Sequence, residues 1–540
     1  MLKSLYRILT HIFYKELNGV IKMKKKIVLI LTIFLLNILI QGVVASCGNN
    51  FGTVENSIRY KDQNDKNNQE IVSCSDSWQQ INKDGFGNEF NSALRGSVVF
   101  NDSLLVGITN ADWHNGSLAM LIDKPISIKQ LLIWYLSTKG DIKAFEYNGC
   151  EIWSYDKNGW RAIVGDYPDS MMPAGFGNKN NTECSALIVY KDYLYVGVWN
   201  DKGCQVWRTN DLKNWEQVVF EGFGNKDNIC AMTALIFRNE LYFGTTNWNG
   251  TEIYRTNDGL NWTAVVGGSS STEPAFGVKY RPGVYTWSMC EYNSHLYVGT
   301  ANAKGLEIWK SNDGEKWEPV IAYDNIFEAK KHGADYPRGF GKYWAGCARN
   351  MIVFKNELYV MCSIRGYMRI VLQAFGKKLF DFSLAMPTDV LRYPLFNLVP
   401  RSGQIWKYNA SNEKWSRVVG GWGKNNNSAG FGDRLNQYLW SVSVFNEHLY
   451  VGTLHNDPHV IRLNREGLFN WTVGTDIVCG KAELWRTSDG ENWEKAINDG
   501  FGDNYNFGIR ELEVYKNKLY AFTTNMNTGC EVWRYDLNEI

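Results

Sequence analysis

The stretch that decides the fold runs from Met232 to Thr245 and reads MTALIFRNELYFGT. Two short runs of apolar and β-branched residues flank the polar segment Arg238–Glu240, which is the pattern of a β-hairpin. Thr251–Arg255 and Trp262–Val266 are again short, apolar runs bounded by Asn, Asp or Gly. The unit Gly222–Gly268 therefore predicts four short strands, a to d, joined by tight turns.

Three landmarks of this unit recur along the chain in the same order. Gly-Phe-Gly opens the repeats at Gly85, Gly175, Gly222, Gly339, Gly430 and Gly500, with a degenerate copy at Phe276-Gly277. Strand b, similar to Leu-Tyr-Val-Gly, begins at Leu104, Leu194, Leu241, Leu296, Leu358, Leu449 and Leu519. Strand c, similar to Glu-Ile-Trp, begins at Glu151, Gln205, Glu252, Glu307, Gln404, Glu483 and Glu531.

A period of about 45 residues with four strands is typical of β-propellers. The sequence therefore predicts an all-β fold, a seven-bladed β-propeller with four-stranded antiparallel blades. The last repeat ends after strand c, at Glu531–Tyr535, and a segment like strand d, Ser75–Ile81, precedes the first Gly-Phe-Gly. We expect this N-terminal strand to complete the last blade, because closing the ring removes the open edge of an array.

The turn between strands c and d carries the motif Ser/Thr-x-Asp-Gly-x-x-Trp at Thr256–Trp262, Ser311–Trp317 and Thr487–Trp493. It resembles the Asp-box (BNR-like) repeat of sialidases and many other propellers, although it is one residue shorter. The resemblance implies that the motif stabilises the turn, because Asp accepts hydrogen bonds from backbone N–H groups and Gly takes a positive φ.

The chain is not expected to be a sialidase proper. Its nearest match to the Phe/Tyr-Arg-Ile-Pro motif of those enzymes, Tyr280–Gly283, lies mid-chain and lacks the Ile.

The N-terminus carries a targeting signal. Lys24–Lys26 precede the apolar run Ile27–Ile40, as in a signal peptide or an N-terminal membrane anchor. We therefore assign residues 1–47 to this segment, whose start is either Met1 or Met23, and predict a secreted or cell-surface protein. Three fates remain open: release after cleavage, lipidation of Cys47, or tethering through the membrane. Residues 48–70 are polar and predicted to be a flexible linker, followed by the propeller at 71–540.

The composition restricts the classes of partner. A formal net charge of +1 gives no global electrostatic attraction for nucleic acid. We expect a monomeric propeller, and nothing in the sequence requires a cofactor. Aromatic residues make up 14% of the chain, a content that both packed sheets and sugar-binding surfaces use.

Long insertions mark one face of the predicted ring. They lie at 111–149, 363–403 and 454–481, each between strands b and c, whereas the opposite face keeps tight turns. Binding and catalytic residues are concentrated on loops that a rigid scaffold positions. The insertion-bearing face is therefore the predicted functional face.

Aromatic and Asn residues follow several b strands on this face. The candidate ligand-binding residues are Trp113, Trp199, Asn200, Asn247, Trp248 and Asn302. Such residues between blades could bind sugars, as in propeller lectins. The alternative is structural, since Asn also caps tight turns.

His455, Asp457 and His459 form a His-x-Asp-x-His pattern within the third insertion. Two imidazoles and a carboxylate at this spacing are candidate metal ligands.

The sequence favours a non-enzymatic binding module for glycan or protein over two alternatives. These are a glycoside hydrolase or metal-dependent hydrolase on the same face, and a purely structural cell-surface protein.

Overall fold

Short antiparallel strands make up nearly all of the regular structure. The computed structural model describes residues 78–112, 126–127, 146–277, 283–302, 304–342, 345–364, 402–421, 425–433, 435–455, 459–465, 471–477, 481–525 and 528–536. All of them fall in the compact unit that extends from Ile71 to Ile540. Among them there is no helix with the length and apolar character needed to cross a bilayer.

The strands follow the predicted repeats in order, beginning with β1 (Trp78–Gln80) ahead of the first repeat. The first repeat comprises β2 (Asn91–Phe100), β3 (Ser103–Asp112), the insertion strands β4 (Ile126–Ser127) and β5 (Glu146–Tyr147), β6 (Glu151–Asp156) and β7 (Gly159–Val164). The second comprises β8 (Glu183–Tyr190), β9 (Tyr193–Trp199), β10 (Gln205–Thr209) and β11 (Glu216–Val219). The third comprises β12 (Asn228–Phe237), β13 (Glu240–Asn247), β14 (Ile253–Thr256) and β15 (Thr263–Val266).

The later repeats keep this arrangement. The fourth comprises β16 (Gly283–Tyr292), β17 (His295–Asn302), β18 (Ile308–Ser311) and β19 (Glu318–Ile321), followed by helix α1 (Ile326–Lys331). The fifth comprises β20 (Ala345–Phe354), β21 (Glu357–Ile364), β22 (Gln404–Asn409) and β23 (Lys414–Val419). The sixth comprises β24 (Asn436–Phe445), β25 (His448–His455), the insertion strands β26 (His459–Arg465) and β27 (Trp471–Ile477), β28 (Leu484–Thr487) and β29 (Glu494–Ile497). The last comprises β30 (Gly508–Tyr515), β31 (Lys518–Thr524) and β32 (Val532–Tyr535).

The third repeat illustrates the antiparallel pairing within a repeat. β12 pairs with β13, β13 with β14, and β14 with β15. The turn between β12 and β13 contains only Arg238 and Asn239, one residue fewer than the sequence predicted. Both have positive φ, 50° and 62°. This is the conformation of a two-residue type I′ turn, whose twist matches that of the flanking strands.

The first strands of the repeats pack against one another in series. β2 contacts β8, and the contacts continue through β12, β16, β20 and β24 to β30, which in turn contacts β2. β1 pairs with β32, with Trp78 opposite Tyr535. Residues 75–77 of the predicted N-terminal strand lie outside the described residues. The chain is thus all-β and organised like a β-propeller, in which four-stranded sheets are arranged around a central axis.

The Gly-Phe-Gly segments form the turns that enter the first strands. Gly222 and Phe223 both have positive φ, 69° and 62°, a strained conformation for a bulky residue. The Phe223 ring stacks on Tyr254 of β14, with centroids 4.3 Å apart. Equivalent stacked pairs are Phe86–Trp153, Phe176–Trp207, Phe276–Trp309, Phe340–Trp406, Phe431–Trp485 and Phe501–Trp533. The ring contact offsets the strain and ties each entering turn to strand c of its own repeat.

The Asp-containing turns are held by local hydrogen bonds. Asp258 Oδ1 accepts hydrogen bonds from the backbone N–H groups of Leu260 and Asn261, each at 2.8 Å. Thr256 Oγ1 accepts one from the N–H of Gly259, also at 2.8 Å. A Cβ atom at Gly259 would overlap the hydroxyl of Tyr195 in the preceding repeat. The turn therefore needs glycine for both its φ of 77° and its close contact.

Two insertions meet through their backbones. β26 and β27 form a hairpin within the insertion 454–481. Thr472 of β27 pairs with Ser127 of β4, which belongs to the insertion 111–149. The first and sixth repeats are thereby joined in a separate three-stranded sheet. Residues 365–401 of the insertion 363–403 lie outside the described residues.

Candidate ligand-binding site

Every first strand contains an extra residue at the same place. In the first repeat, Leu94 pairs with Ile108 and Gly96 with Gly107, so that Arg95 has no pairing partner on β3. A β-bulge of this kind points a side chain in a direction that regular pairing would not allow. The equivalent extra residues are Ser185 in β8, Met232 in β12, Trp287 in β16, Arg349 in β20, Trp440 in β24 and Arg510 in β30.

Four consecutive bulge residues form the arginine–tryptophan cluster, defined as Trp287, Arg349, Trp440 and Arg510. The guanidinium carbon of Arg349 lies 3.6 Å from the Trp287 ring centroid and 5.5 Å from that of Trp440. The guanidinium carbon of Arg510 lies 4.3 Å from the Trp440 centroid. These are cation–π distances. The cluster therefore alternates cations with indoles along neighbouring first strands.

Both arginines are buried, and each is only 6% exposed. Among the described residues, neither guanidinium has a carboxylate within ion-pair distance or a hydrogen-bond acceptor. Burial and the nearby charge of Arg95 lower the pKa of Arg349 to about 9, so the group remains charged at neutral pH. Buried charges in proteins are normally paired. The cluster is an exception that needs an explanation.

The indoles add further unsatisfied donors. The Nε1 atoms of Trp287 and Trp440 are buried and have no hydrogen-bond partner within the described part of the chain. The Trp440 ring packs so closely on Gly508 that a Cβ atom there would lie 2.5 Å from the indole. The ring is therefore held in a fixed position by the small residue on β30.

The other charges near the cluster do not neutralise it. Arg95 forms an ion pair with Glu183, so this arginine is already paired. Burial and the charge of Glu513 raise the pKa of Glu511 to about 8, although Arg349 acts in the opposite direction. Glu511 is thus mostly protonated at neutral pH, and the two unpaired arginines leave the cluster positively charged.

Two of the predicted residues, Trp199 and Trp248, lie beside the cluster and contact it through Tyr285. The Tyr285 ring stacks on Trp287, with centroids 4.7 Å apart and planes inclined by 20°. Trp199 and Trp248 both contact Tyr285, with centroid distances of 6.2 Å and 6.4 Å. Trp199 and Trp248 are half-buried. The aromatic contacts of the cluster therefore extend to the ends of the second strands β9 and β13.

The three predicted Asn residues are engaged inside the protein. Asn200, Asn247 and Asn302 are buried. The oxygen atom of each side chain accepts a hydrogen bond from a backbone N–H two residues further on. The amide nitrogens donate to Asn181, Asn228 and Glu307, respectively. Their polar atoms shape the turns after the second strands, which is the structural alternative considered for them.

The remaining predicted residues are only partly described. Trp113, Asp457 and Cys47 lie outside the described residues, as does the side chain of His459. His455 Nε2 lies 3.4 Å from Asp433 Oδ2, a carboxylate that the sequence had not assigned to this site. Among the side chains that the structure does describe, no three His, Cys, Asp or Glu residues come close enough together to bind a metal ion.

The arginines of the cluster were not singled out in the sequence. The available signal was their alignment, because Arg95, Arg349 and Arg510 stand at one position of repeats that otherwise keep small or apolar residues there. This alignment becomes informative only when the bulge is known. Without a bulge, the regular alternation of side chains along the strand would point the residue to one face of its own sheet.

Comparisons with known proteins add little beyond the fold. No protein-family model matches the chain, and no curated protein matches it. Among solved structures, the WD40 β-propeller domain of Doa1 has a TM-score of 0.41 at 8% identity, covering 85% of this chain and 98% of that one. An ancestral GH74 enzyme has a TM-score of 0.41 at 9% identity, covering 83% and 48%. A prolyl endopeptidase has a TM-score of 0.39 at 9% identity, covering 84% and 51%.

Proposed function

We propose that the chain is a seven-bladed β-propeller of the Asp-box repeat type, closed by its N-terminal strand. Three observations support this proposal. β1 pairs with β32 and supplies the fourth strand of the last repeat. β30 contacts β2, which continues the series of first strands back to its beginning. The Asp258 turn has the hydrogen bonds that the Asp-box resemblance implies.

We further propose that this propeller is an exported or surface-anchored binding module for a glycan or a protein. The observation that carries the proposal is the burial of Arg349 and Arg510 without an ionic partner among the described residues. Such groups reduce stability, because a desolvated charge costs several kcal/mol. Residues that reduce stability are typical of functional sites. A ligand that pairs with these arginines accounts for their presence.

The insertion-bearing face is the proposed direction from which the ligand approaches. Trp199 and Trp248 stand where the second strands of their repeats end, and both contact Tyr285. Exposed edges of such aromatic residues can pack against sugar rings or apolar side chains. The proposed ligand therefore contacts these aromatics first and the arginine–tryptophan cluster more deeply.

Binding of the full-length chain, extracted in mild detergent, to arrays of glycans, cell-wall fractions and surface proteins tests the proposal. We expect retention on at least one surface and weaker retention of the Trp440→Leu variant, which loses the indole between the two arginines. Leu260→Ala is the control, because Leu260 is 46% exposed and lies in the turn between β14 and β15, at the end of the repeat opposite the loops that follow the second strands. Failure of the wild-type chain to bind any glycan, cell-wall fraction or surface protein would refute the binding function.

The proposed export has a separate test. Protease added to intact cells should degrade the propeller, and Cys47→Ser should release it from the membrane fraction only if Cys47 is lipidated. A propeller that is protected in intact cells and degraded only after lysis would contradict an extracellular location.

A further inference from the structure

The ligand class of this site follows from its unsatisfied groups, on the premise that the chain is a binding module. We propose that the arginine–tryptophan cluster binds an oxyanion group, a carboxylate or a phosphate, carried by an acidic polysaccharide. The argument depends on which hydrogen-bonding groups are present, how they are held and what charge they carry.

Every unsatisfied group in the cluster is a hydrogen-bond donor. The Nε1–H groups of Trp287 and Trp440 have no acceptor among the described residues, and no hydrogen bond or ion pair joins the guanidinium group of Arg349 or Arg510 to another described residue. None of these side chains can accept a conventional hydrogen bond. A neutral sugar hydroxyl, which both donates and accepts, would satisfy such a site only in part. An oxyanion offers only acceptors and suits it fully.

The tryptophans hold the arginines without using their N–H groups. A guanidinium that stacks on an aromatic ring keeps the N–H donors at its edge available. Arg349 lies against Trp287 at 3.6 Å, and Arg510 against Trp440 at 4.3 Å. Two planar donor groups fixed in this way are prepared for bidentate binding of a carboxylate or phosphate.

The local charge favours an anion. Arg95 is paired with Glu183, whereas Arg349 and Arg510 have no such partner in the described residues. The pKa of Glu511 is raised to about 8 by burial and by Glu513. At neutral pH, Arg349 and Arg510 therefore keep their positive charges, and no described carboxylate forms an ion pair with either of them.

The polysaccharide part of the ligand follows from the aromatic residues above the cluster. Tyr285 stacks on Trp287 and contacts both Trp199 and Trp248. Aromatic side chains next to a buried charged group provide both an apolar surface and a specific polar contact. A sugar ring that carries an anionic substituent matches both parts of the site.

Titration of the full-length chain with three polymers tests the inference. Polygalacturonate supplies carboxylates, phosphorylated dextran supplies phosphates on a sugar backbone, and unmodified dextran is neutral. We expect at least one acidic polymer to bind at least tenfold more tightly than dextran. Arg349→Met and Arg510→Met should each weaken that binding at least tenfold, and Arg349→Lys should restore part of it. Arg161→Met, at an exposed arginine of β7, should leave binding unchanged.

The melting temperature of the ligand-free variants separates a binding role from a structural one. A binding arginine replaced by Met should leave the melting temperature equal or higher, because an unpaired buried charge is removed. Lower melting temperatures together with unchanged binding would overturn the inference and make the arginines structural. Dextran binding as tight as that of the acidic polymers would also overturn it, while the binding module would stand. Absence of binding to every acidic polymer would overturn the inference, and absence of binding to every glycan, cell-wall fraction and surface protein as well would refute the proposed function itself.

Discussion

The guanidinium carbon of Arg349 lies 3.6 Å from the centre of the Trp287 indole, and the two residues hold the same bulge position in neighbouring repeats. A desolvated cation–π contact contributes about 2 kcal/mol. Removing a charge from water costs several kcal/mol even after the protein relaxes. The Trp287 ring therefore positions Arg349 but does not compensate its burial, and an anionic ligand would supply the difference.

Replacing Trp287 by Leu tests this positioning role. We expect Trp287→Leu to weaken binding of an acidic polymer by about 1–2 kcal/mol, because Arg349 loses the ring that holds it. Trp287→Phe keeps an aromatic face and should retain most of the affinity. Calorimetric titration measures the affinity of both variants. Equal affinities of Trp287→Leu and the wild type would show that the contact between Trp287 and Arg349 does not contribute to binding.

Binding of an anion should weaken as the pH rises through about 8. The raised pKa of Glu511 means that its carboxyl is neutral below this value and negative above it. The charged groups acting on it are Glu513 of its own strand and Arg349 of β20. Burial also raises the pKa of Glu513, so its ionisation acts in the same direction. Between pH 6 and pH 9, the affinity of the wild type for an acidic polymer should fall, and the affinity of Glu511→Gln should fall less. Parallel curves for the two proteins would contradict the role given to the ionisation of Glu511.

The Gly-Phe-Gly turns should be a major source of stability. Phe431 is 4% exposed and stacks on Trp485 with centroids 4.5 Å apart. Phe431→Ala should lower the free energy of unfolding by about 3–5 kcal/mol, the usual cost of emptying a buried aromatic site. Urea denaturation measures this change. The exposed Phe220→Ala is the control and should change stability by less than about 0.5 kcal/mol.

The N-terminal strand should also be essential for stability if it completes the last repeat. Trp78 is 8% exposed and packs against Phe501 at 5.2 Å and Tyr535 at 5.1 Å. Trp78→Ala should therefore lower the free energy of unfolding by about 3–5 kcal/mol. Thermal and urea unfolding measure the loss. A change below about 1 kcal/mol would argue against a closing role for β1.

If the chain is exported as proposed, Cys150 and Cys184 are expected to form a disulfide. Their Sγ atoms lie 2.8 Å apart in neighbouring repeats, and both residues are fully buried. Burial raises the pKa of the Cys184 thiol, so oxidation should precede the packing of the two repeats. Each thiol loses a proton and an electron, and a thiol–disulfide oxidoreductase of the export compartment accepts both electrons.

Peptide mapping without reduction tests this disulfide. A linked peptide containing Cys150 and Cys184 is expected, whereas Cys204 should remain a free thiol. Cys150→Ser should cost about 3–4 kcal/mol of stability in the oxidised protein, because the bond closes a loop of 34 residues. Recovery of both cysteines as free thiols from exported protein would contradict the prediction.

Much of the local structure could be predicted from the sequence. The strands of the third repeat were placed within a few residues, since alternating apolar residues and polar turns specify short strands directly. The extra residues Asn228–Ala231 of β12 were missed because the bulge at Ile229 interrupts the regular pattern. The Asn residues after the second strands were identified, but only their hydrogen bonds show that they serve the turns.

The sequence by itself determined the repeats, their strand order and the turns, because these depend on residues that are close together in the chain. Only the tertiary structure decided that Trp287, Arg349, Trp440 and Arg510 are neighbours. They come from four repeats, and a bulge in each first strand turns them out of the regular pleat towards one another. Burial and the lack of an ionic partner are likewise properties of the assembled sheets, because they depend on every side chain that packs nearby.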